Sequence, residues 1–241
     1  MMNRAVSTHS NRTLALAIVA TAILASLAVG EADADGLTAG VARIDITDRQ
    51  AGPVNDPLYV KALMLKDGST TLAVVTVDAV AIGELGRIGN DYLPAVRSRL
   101  ESELGIKPSN VLVNASHCHG VVCADVAERT FQAVKDASQN MLPVNIGAGA
   151  GREERIMENR RFKLKDGKEA DARRAYALPP DDAIAGVGPV DPAIGVLRLD
   201  RKDGRPLAVI YNFACHPIEG TPSGGNSADI TGFASKAIEE S

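Results

Sequence analysis

Several short stretches of the chain are rich in apolar and β-branched residues and are bounded by polar turn residues, and this pattern predicts β-strands. The clearest stretches are 40–47, 58–65 and 71–77. The last two flank Lys66-Asp67-Gly68, a sequence that predicts a hairpin turn. The same three residues recur at 165–167 and 202–204. Because the flanking sequences differ, shared turn chemistry explains the recurrence better than an internal repeat does.

Two other stretches have the spacing of amphipathic helices. The first ends at Gly105, and the second begins near Asp125 and Glu128, which form a capping-box pattern. The apolar stripes consist of Leu93, Val96, Leu100 and Leu104 in the first helix and of Ala127, Phe131, Val134 and Met141 in the second. Together with the strands, these helices predict an α/β fold, with a mixed sheet, hairpins and flanking helices.

The segment 147–188 is richer in glycine, proline and charge than its surroundings. This composition predicts a long excursion over the surface, and excursions of this kind often cover active sites. A solvated loop without a function explains the composition equally well. Nothing in the segment marks a separate domain.

Apart from His9 near the amino terminus, the histidines are concentrated in two short segments. His117 and His119 follow the apolar run 111–113, and His216 follows the β-prone stretch 206–213. If the first strand continues through position 119, both imidazoles project from one face. A catalytic zinc takes about three protein ligands, so these residues are candidates for a metal site. A hydrogen-bonded structural pair and a buried turn at His216 are the competing interpretations.

The cysteines Cys118, Cys123 and Cys215 are odd in number, so they allow at most one intrachain disulfide. On a strand Cys118 would point away from the two histidines, which favours a packing role. A bridge from Cys118 or Cys123 to Cys215, and a thiolate metal ligand, are weaker alternatives.

The first 34 residues resemble a signal peptide. Arg4 and Arg12 precede the apolar run 14–29, and Ala32-Asp33-Ala34 has the form of a cleavage site. We expect export, to the periplasm or out of the cell, with cleavage after Ala34 or after Gly30. An uncleaved membrane anchor is the alternative, but the run is short for a spanning helix.

Composition sets broad limits on function. The chain has 241 residues, of which 45% are hydrophobic and 23% are charged, as in ordinary globular proteins. Its net charge of −4 comes without a basic stripe, so we expect no nucleic-acid partner. Aromatic residues make up 3% of the chain, which leaves few stacking platforms for bases or sugars.

Several segments resemble, in order, the amino-terminal part of the catalytic domain of the neutral (alkaline, non-lysosomal) ceramidase family. The resemblance covers nearly all of the mature chain, 37–241. Its segments are Ala39-Gly40-Val41-Ala42-Arg43-Ile44-Asp45-Ile46-Thr47, Pro57-Leu58-Tyr59-Val60-Lys61-Ala62-Leu63, the strand to Asp78, Asn110-Val111-Leu112-Val113 leading to Ser116-His117-Cys118-His119, and Asn212-Phe213-Ala214-Cys215-His216-Pro217 with Ser227-Ala228-Asp229.

The resemblance implies a zinc-dependent amidase that cleaves ceramide, or a related lipid-like amide, into a fatty acid and a sphingoid base. It implies His117 and His216 as zinc ligands and His119 as the residue that exchanges protons or orients water and substrate. Such a substrate would bring peripheral contact with a membrane. The sequence identifies no substrate-binding residues and no oligomeric state.

The family's remaining metal ligands, a glutamate and a tyrosine, follow the region that ends here at Ser241. We therefore expect an incomplete single catalytic domain, truncated at its carboxyl end. Where the family has His-Thr-His-Ser-Gly, this chain has His117-Cys118-His119-Gly120-Val121. Two alternative functions follow: an inactive metal-binding module, and a hydrolase of another small amide or ester.

Two further positions have open roles. Arg160, after Asn159, could receive a carboxylate product, but its charged surroundings favour a solvated face. Asp229 could support a ligating histidine or cap the last helix, and the capping role is the preferred interpretation.

Overall fold

A computed structural model describes residues 36–172, 178–218 and 225–241. The predicted signal peptide lies outside the described residues. No helix in the described ranges is long and apolar enough to cross a membrane.

Within these ranges the chain forms ten strands and three α-helices. The strands are β1 (Thr38–Asp45), β2 (Tyr59–Asp67), β3 (Thr70–Val77), β4 (Val111–Ala115), β5 (Leu142–Arg152), β6 (Arg161–Leu164), β7 (Glu169–Asp171), β8 (Ile184–Val187), β9 (Ala193–Arg201) and β10 (Pro206–Phe213). The helices are α1 (Tyr92–Leu104), α2 (Val126–Gln139) and α3 (Asp229–Glu239), and short 3₁₀ turns cover Pro108–Asn110 and Asp181–Ala183.

Seven strands form the main sheet in the order β10-β9-β5-β1-β2-β3-β4. Only the β3–β4 pair of this sheet is parallel, so the sheet is mixed, as predicted. The pairing between β1 and β5 is the shortest in this sheet. Only Thr38 with Pro143 and Ala39 with Leu142 are paired there. Beyond it, β5 pairs along its length with β9.

The main sheet has an apolar cluster on each face. Val60, Ala62 and Met64 of β2 pack in the larger cluster, with α1 and α2, and Leu63 packs in the smaller one. This division follows from the alternation of side chains along a strand. The smaller cluster also contains residues of β5, β9 and β10, so these strands cover the face that the helices leave free.

Local signals predicted several elements correctly. All three Lys-Asp-Gly sequences lie at hairpin turns, and their glycines Gly68, Gly167 and Gly204 have φ angles of 53°, 84° and 84°. Gly105 follows α1 in the left-handed conformation with φ of 67°. Such angles strain residues that carry a Cβ atom, which explains glycine at these four positions.

One prediction about local structure was incomplete and another was wrong. The described residues of the segment 147–188 lie at the surface, as predicted, but they are not an irregular loop, because they complete β5 and form a small sheet in the order β7-β6-β8. Asp125 does precede α2, but it makes no side-chain cap, and Glu128 pairs with Arg99 instead of closing a capping box. The Asp125 carboxylate instead forms an ion pair with Arg129, in which Oδ2 lies 2.9 Å from Nε.

Candidate metal centre

The paired histidines lie in a loop that follows β4. The strand ends at Ala115, and His117 has a left-handed backbone with φ of 65°. The strand therefore does not continue through position 119, and alternation along a strand does not explain the placement of the two imidazoles. We call His117 to Val121 the histidine loop.

The three predicted histidines nevertheless converge. Ring centroids are 5.6 Å apart for His117 and His119, 5.1 Å for His117 and His216, and 5.4 Å for His119 and His216. One nitrogen from each ring lies within 4.8 Å of the other two. Three imidazole nitrogens at this spacing could hold a metal ion.

This convergence requires a folded sheet. β4 and β10 lie at opposite edges of seven strands. In a flat sheet, edges six strand spacings apart would be roughly 29 Å from each other. The sheet does fold over on itself, because Leu63 of β2 packs in one cluster with Leu199 of β9 and Ile210 of β10. This packing brings the residues after β10 towards those after β4.

The main chain fixes the orientation of the His117 ring. Its Nδ1 atom lies 2.7 Å from the carbonyl oxygen of Val80. Because a carbonyl only accepts hydrogen bonds, Nδ1 carries the proton and the lone pair of Nε2 stays available. Backbone carbonyls commonly orient metal-binding histidines in this way.

The His216 ring favours the neutral form. Burial, together with the positive charge of Arg160, lowers the pKa of His216. A neutral imidazole can donate its lone pair to a metal, whereas imidazolium cannot. Arg160 is exposed, as predicted, and its positive charge nevertheless contributes to the lowered pKa of His216.

Asp229 has a different role from the one preferred on sequence grounds. Ala228 occupies the N-cap position of α3, and this helix has no side-chain cap. The Asp229 carboxylate instead accepts a hydrogen bond from the backbone N–H of His119, with Oδ2 2.8 Å from the nitrogen. Asp229 therefore contacts the histidine loop, and the capping prediction was wrong.

The cysteines are free thiols. Cys118 is fully buried in the larger apolar cluster, and burial raises its pKa to about 12. Its burial confirms the predicted packing role, whereas the neighbouring His117 and His119 are exposed. The alternative of a disulfide to Cys215 is not present.

A small cleft opens beside His119. It has a volume of about 180 Å³ and a mainly apolar lining. Its lining includes Val80, Leu85, Ile88, Val121 and Val122. Sequence reasoning found none of these residues, because ordinary core valines and leucines have the same pattern.

The fold and the site together define a mixed α/β protein with a three-histidine cluster at the strand ends. No protein-family model and no curated protein sequence matches the chain. Its fold is, however, shared with solved neutral ceramidase structures.

One of these structures is a ceramidase complexed with C2, with a TM-score of 0.61, 19% identity and coverage of 85% of this chain. Another is the neutral ceramidase from Pseudomonas aeruginosa, with a TM-score of 0.61, 16% identity and coverage of 85% of this chain. The chain spans about a third of these proteins, 35% and 36% respectively. The resemblance inferred from the sequence is thus confirmed at the level of the fold.

Proposed function

We propose that this chain carries part of the centre of a zinc-dependent amidohydrolase that hydrolyses ceramide or a related N-acyl lipid. The products would be a fatty acid and a sphingoid base. The observation that carries the proposal is the meeting of His117, His119 and His216 on a ceramidase-like fold.

The donor set fits zinc. Imidazole nitrogen is a common zinc ligand, and the Val80 carbonyl leaves the Nε2 atom of His117 free for this purpose. We assign His117 and His216 as ligands. Bound zinc would polarise the amide carbonyl and lower the pKa of a water molecule.

His119 is the proposed proton-handling residue. Its ring lies 5.6 Å from that of His117 and 5.4 Å from that of His216, so it can reach a group bound between them. It also borders the apolar cleft, where hydrocarbon next to the scissile bond would be sheltered from water. In this position it can take a proton from water and give one to the leaving amine.

Zinc binding by the purified chain tests the ligand assignment. We expect the unsubstituted chain to bind zinc in competition with a chromophoric chelator. His117→Ala and His216→Ala should each lose most of this affinity, because each removes a donor nitrogen. Equal affinity in these variants and the unsubstituted chain would refute the assignment.

Hydrolysis tests the role of His119. His119→Ala should retain zinc and lose turnover of a short-chain ceramide, by roughly 10²- to 10⁴-fold for a lost general acid–base group. Turnover of short amides or esters without turnover of ceramide would favour the related hydrolase. Zinc binding without any turnover would favour the inactive metal-binding module.

Export of the chain stays a prediction of the amino-terminal sequence.

A further inference from the structure

The start of α3 contacts both histidine segments. The backbone N–H of His119 donates to Asp229 at 2.8 Å, and that of Val121 donates to the side-chain oxygen of Asn226 at 2.7 Å. On the other side, the N–H of Ile230 donates to the carbonyl oxygen of Pro217, next to His216, at 3.2 Å. We call Asn226 to Ile230 the α3 brace.

The polar side chains of the α3 brace are buried. Asn226, Ser227 and Asp229 are 5%, 4% and 4% exposed. A buried polar group is costly unless it is hydrogen-bonded, so its contacts have defined geometry. The side chains of Asn226 and Asp229 direct oxygen atoms at the histidine loop.

A further carboxylate anchors the α3 brace to the body of the protein. Asp56 accepts hydrogen bonds from the Ser227 hydroxyl at 2.6 Å and from the Ala228 N–H at 2.8 Å. The Ser227 hydroxyl oxygen in turn accepts from the Asp229 N–H at 2.9 Å. The side chain of Asn226 also donates to the carbonyl of Asp48 at 2.8 Å.

The backbone at the contact is constrained on both sides. His117 and Asp229 have φ angles of 65° and 53°, which residues with a side chain seldom adopt. Gly120 packs closely against the α3 brace, because a Cβ atom there would lie 2.8 Å from the Ser227 carbonyl oxygen. Conformations of this kind persist only where the surroundings determine them, and they cluster at functional sites.

We propose that Asp229 and Asn226 are positioning residues, which hold the histidine loop so that His117 lies at the distance from His216 that metal binding needs. The inference rests on the proposed function, since it assumes that His117 and His216 bind zinc. It assigns a purpose to two buried side chains that neither cap α3 nor line the cleft. Partners of metal ligands commonly change metal affinity by 10- to 100-fold when they are replaced.

Two substitutions separate the carboxylate from the backbone conformation at position 229. Asp229→Gly keeps the positive φ accessible and removes the acceptor of the His119 N–H. Asp229→Asn keeps an acceptor oxygen and tolerates the same φ. Asn226→Ala likewise removes the acceptor of the Val121 N–H. Asp203→Ala is the matched control, because Asp203 also accepts from a backbone N–H, at 3.1 Å, in the turn at the other end of β10.

Zinc affinity and amide hydrogen exchange of His119 are the two measurements, on the full chain of each variant. For Asp229→Gly we expect zinc affinity to fall by about tenfold or more and exchange at His119 in the metal-free chain to accelerate. Asp229→Asn should restore both values, and Asp203→Ala should change neither. Asn226→Ala should weaken zinc binding and accelerate exchange at Val121, which keeps the test decisive if Asp229→Gly does not fold.

The outcomes distinguish the two proposals. Folded Asp229→Gly and Asn226→Ala variants that bind zinc as tightly as the unsubstituted chain would overturn the positioning role alone. An unsubstituted chain that binds no zinc would overturn the proposed function. In that case, exchange at His119 and Val121 still shows whether the α3 brace holds the loop, and unchanged exchange would overturn the brace as well.

Discussion

At the scale of single residues, the environment of a side chain decides which of its chemical forms is present. The hydroxyl of Tyr92 is an example, because it is buried between α1 and α2 and lies 2.7 Å from the Thr130 hydroxyl. Burial raises the pKa of Tyr92 to about 12 from an ordinary value of 10.0. The folded protein therefore keeps this tyrosine protonated at a pH where the unfolded chain ionises it.

This difference predicts a pH dependence of stability. Below pH 10 the group is protonated in both states, and its contribution is constant. Between pH 10 and about pH 12 the unfolded state loses the proton first, so the contribution to the free energy of unfolding falls as pH rises. The limiting slope is about 1.4 kcal/mol per pH unit.

Urea unfolding of the chain and of Tyr92→Phe at several pH values above 9 measures this effect. We expect the free energy of unfolding of Tyr92→Phe to be about 1 kcal/mol lower at neutral pH, because the hydrogen bond is missing. Above pH 10 it should decline less steeply with pH than that of the unsubstituted chain. Parallel declines in the two proteins would contradict the assignment to Tyr92.

At the scale of elements, the close approach of α2 to the sheet depends on a residue without a side chain. A Cβ atom on Gly40 of β1 would lie 2.0 Å from the carbonyl oxygen of Ala137 in α2. The obstacle is helix backbone, which cannot rotate away as a flexible side chain could. Gly40 is therefore required by packing and not by its backbone angles.

Gly40→Ala should accordingly displace α2 and destabilise the protein by about 1–3 kcal/mol, the usual cost of overpacking. Gly149→Ala in β5 is the control, because a Cβ atom there meets nothing within 4 Å. Thermal unfolding of both variants measures the difference. Equal unfolding temperatures for the two variants would show that α2 can shift without a loss of stability.

The elements also show where sequence reasoning succeeds. The hairpins and the end of α1 were predictable because each depends on a few adjacent residues, such as Gly68 and Gly105. The folding of the sheet over itself was not, because it depends on packing between residues far apart in the sequence, such as Leu63 and Leu199. Sequence likewise gave the histidines of the candidate site, but neither the Val80 carbonyl nor the hydrogen bond from His119 to Asp229.

At the scale of the whole molecule, a ligand that binds only the folded state stabilises that state. Free zinc at about 100 times its dissociation constant should add about 2.7 kcal/mol to the free energy of unfolding. Thermal unfolding with zinc and with excess chelator measures the gain. We expect His117→Ala to show no difference between the two conditions, and an equal gain in this variant would place zinc elsewhere.

The packing that brings the two edges of the sheet together also determines when the site can exist. His117 and His216 are about a hundred positions apart in the sequence and follow strands at opposite edges. A chain still emerging from the ribosome, or still unfolded during passage through a membrane, has the three imidazoles but not their arrangement. If the predicted signal peptide acts, we expect the protein to acquire its metal after export, from the supply on the far side of the membrane.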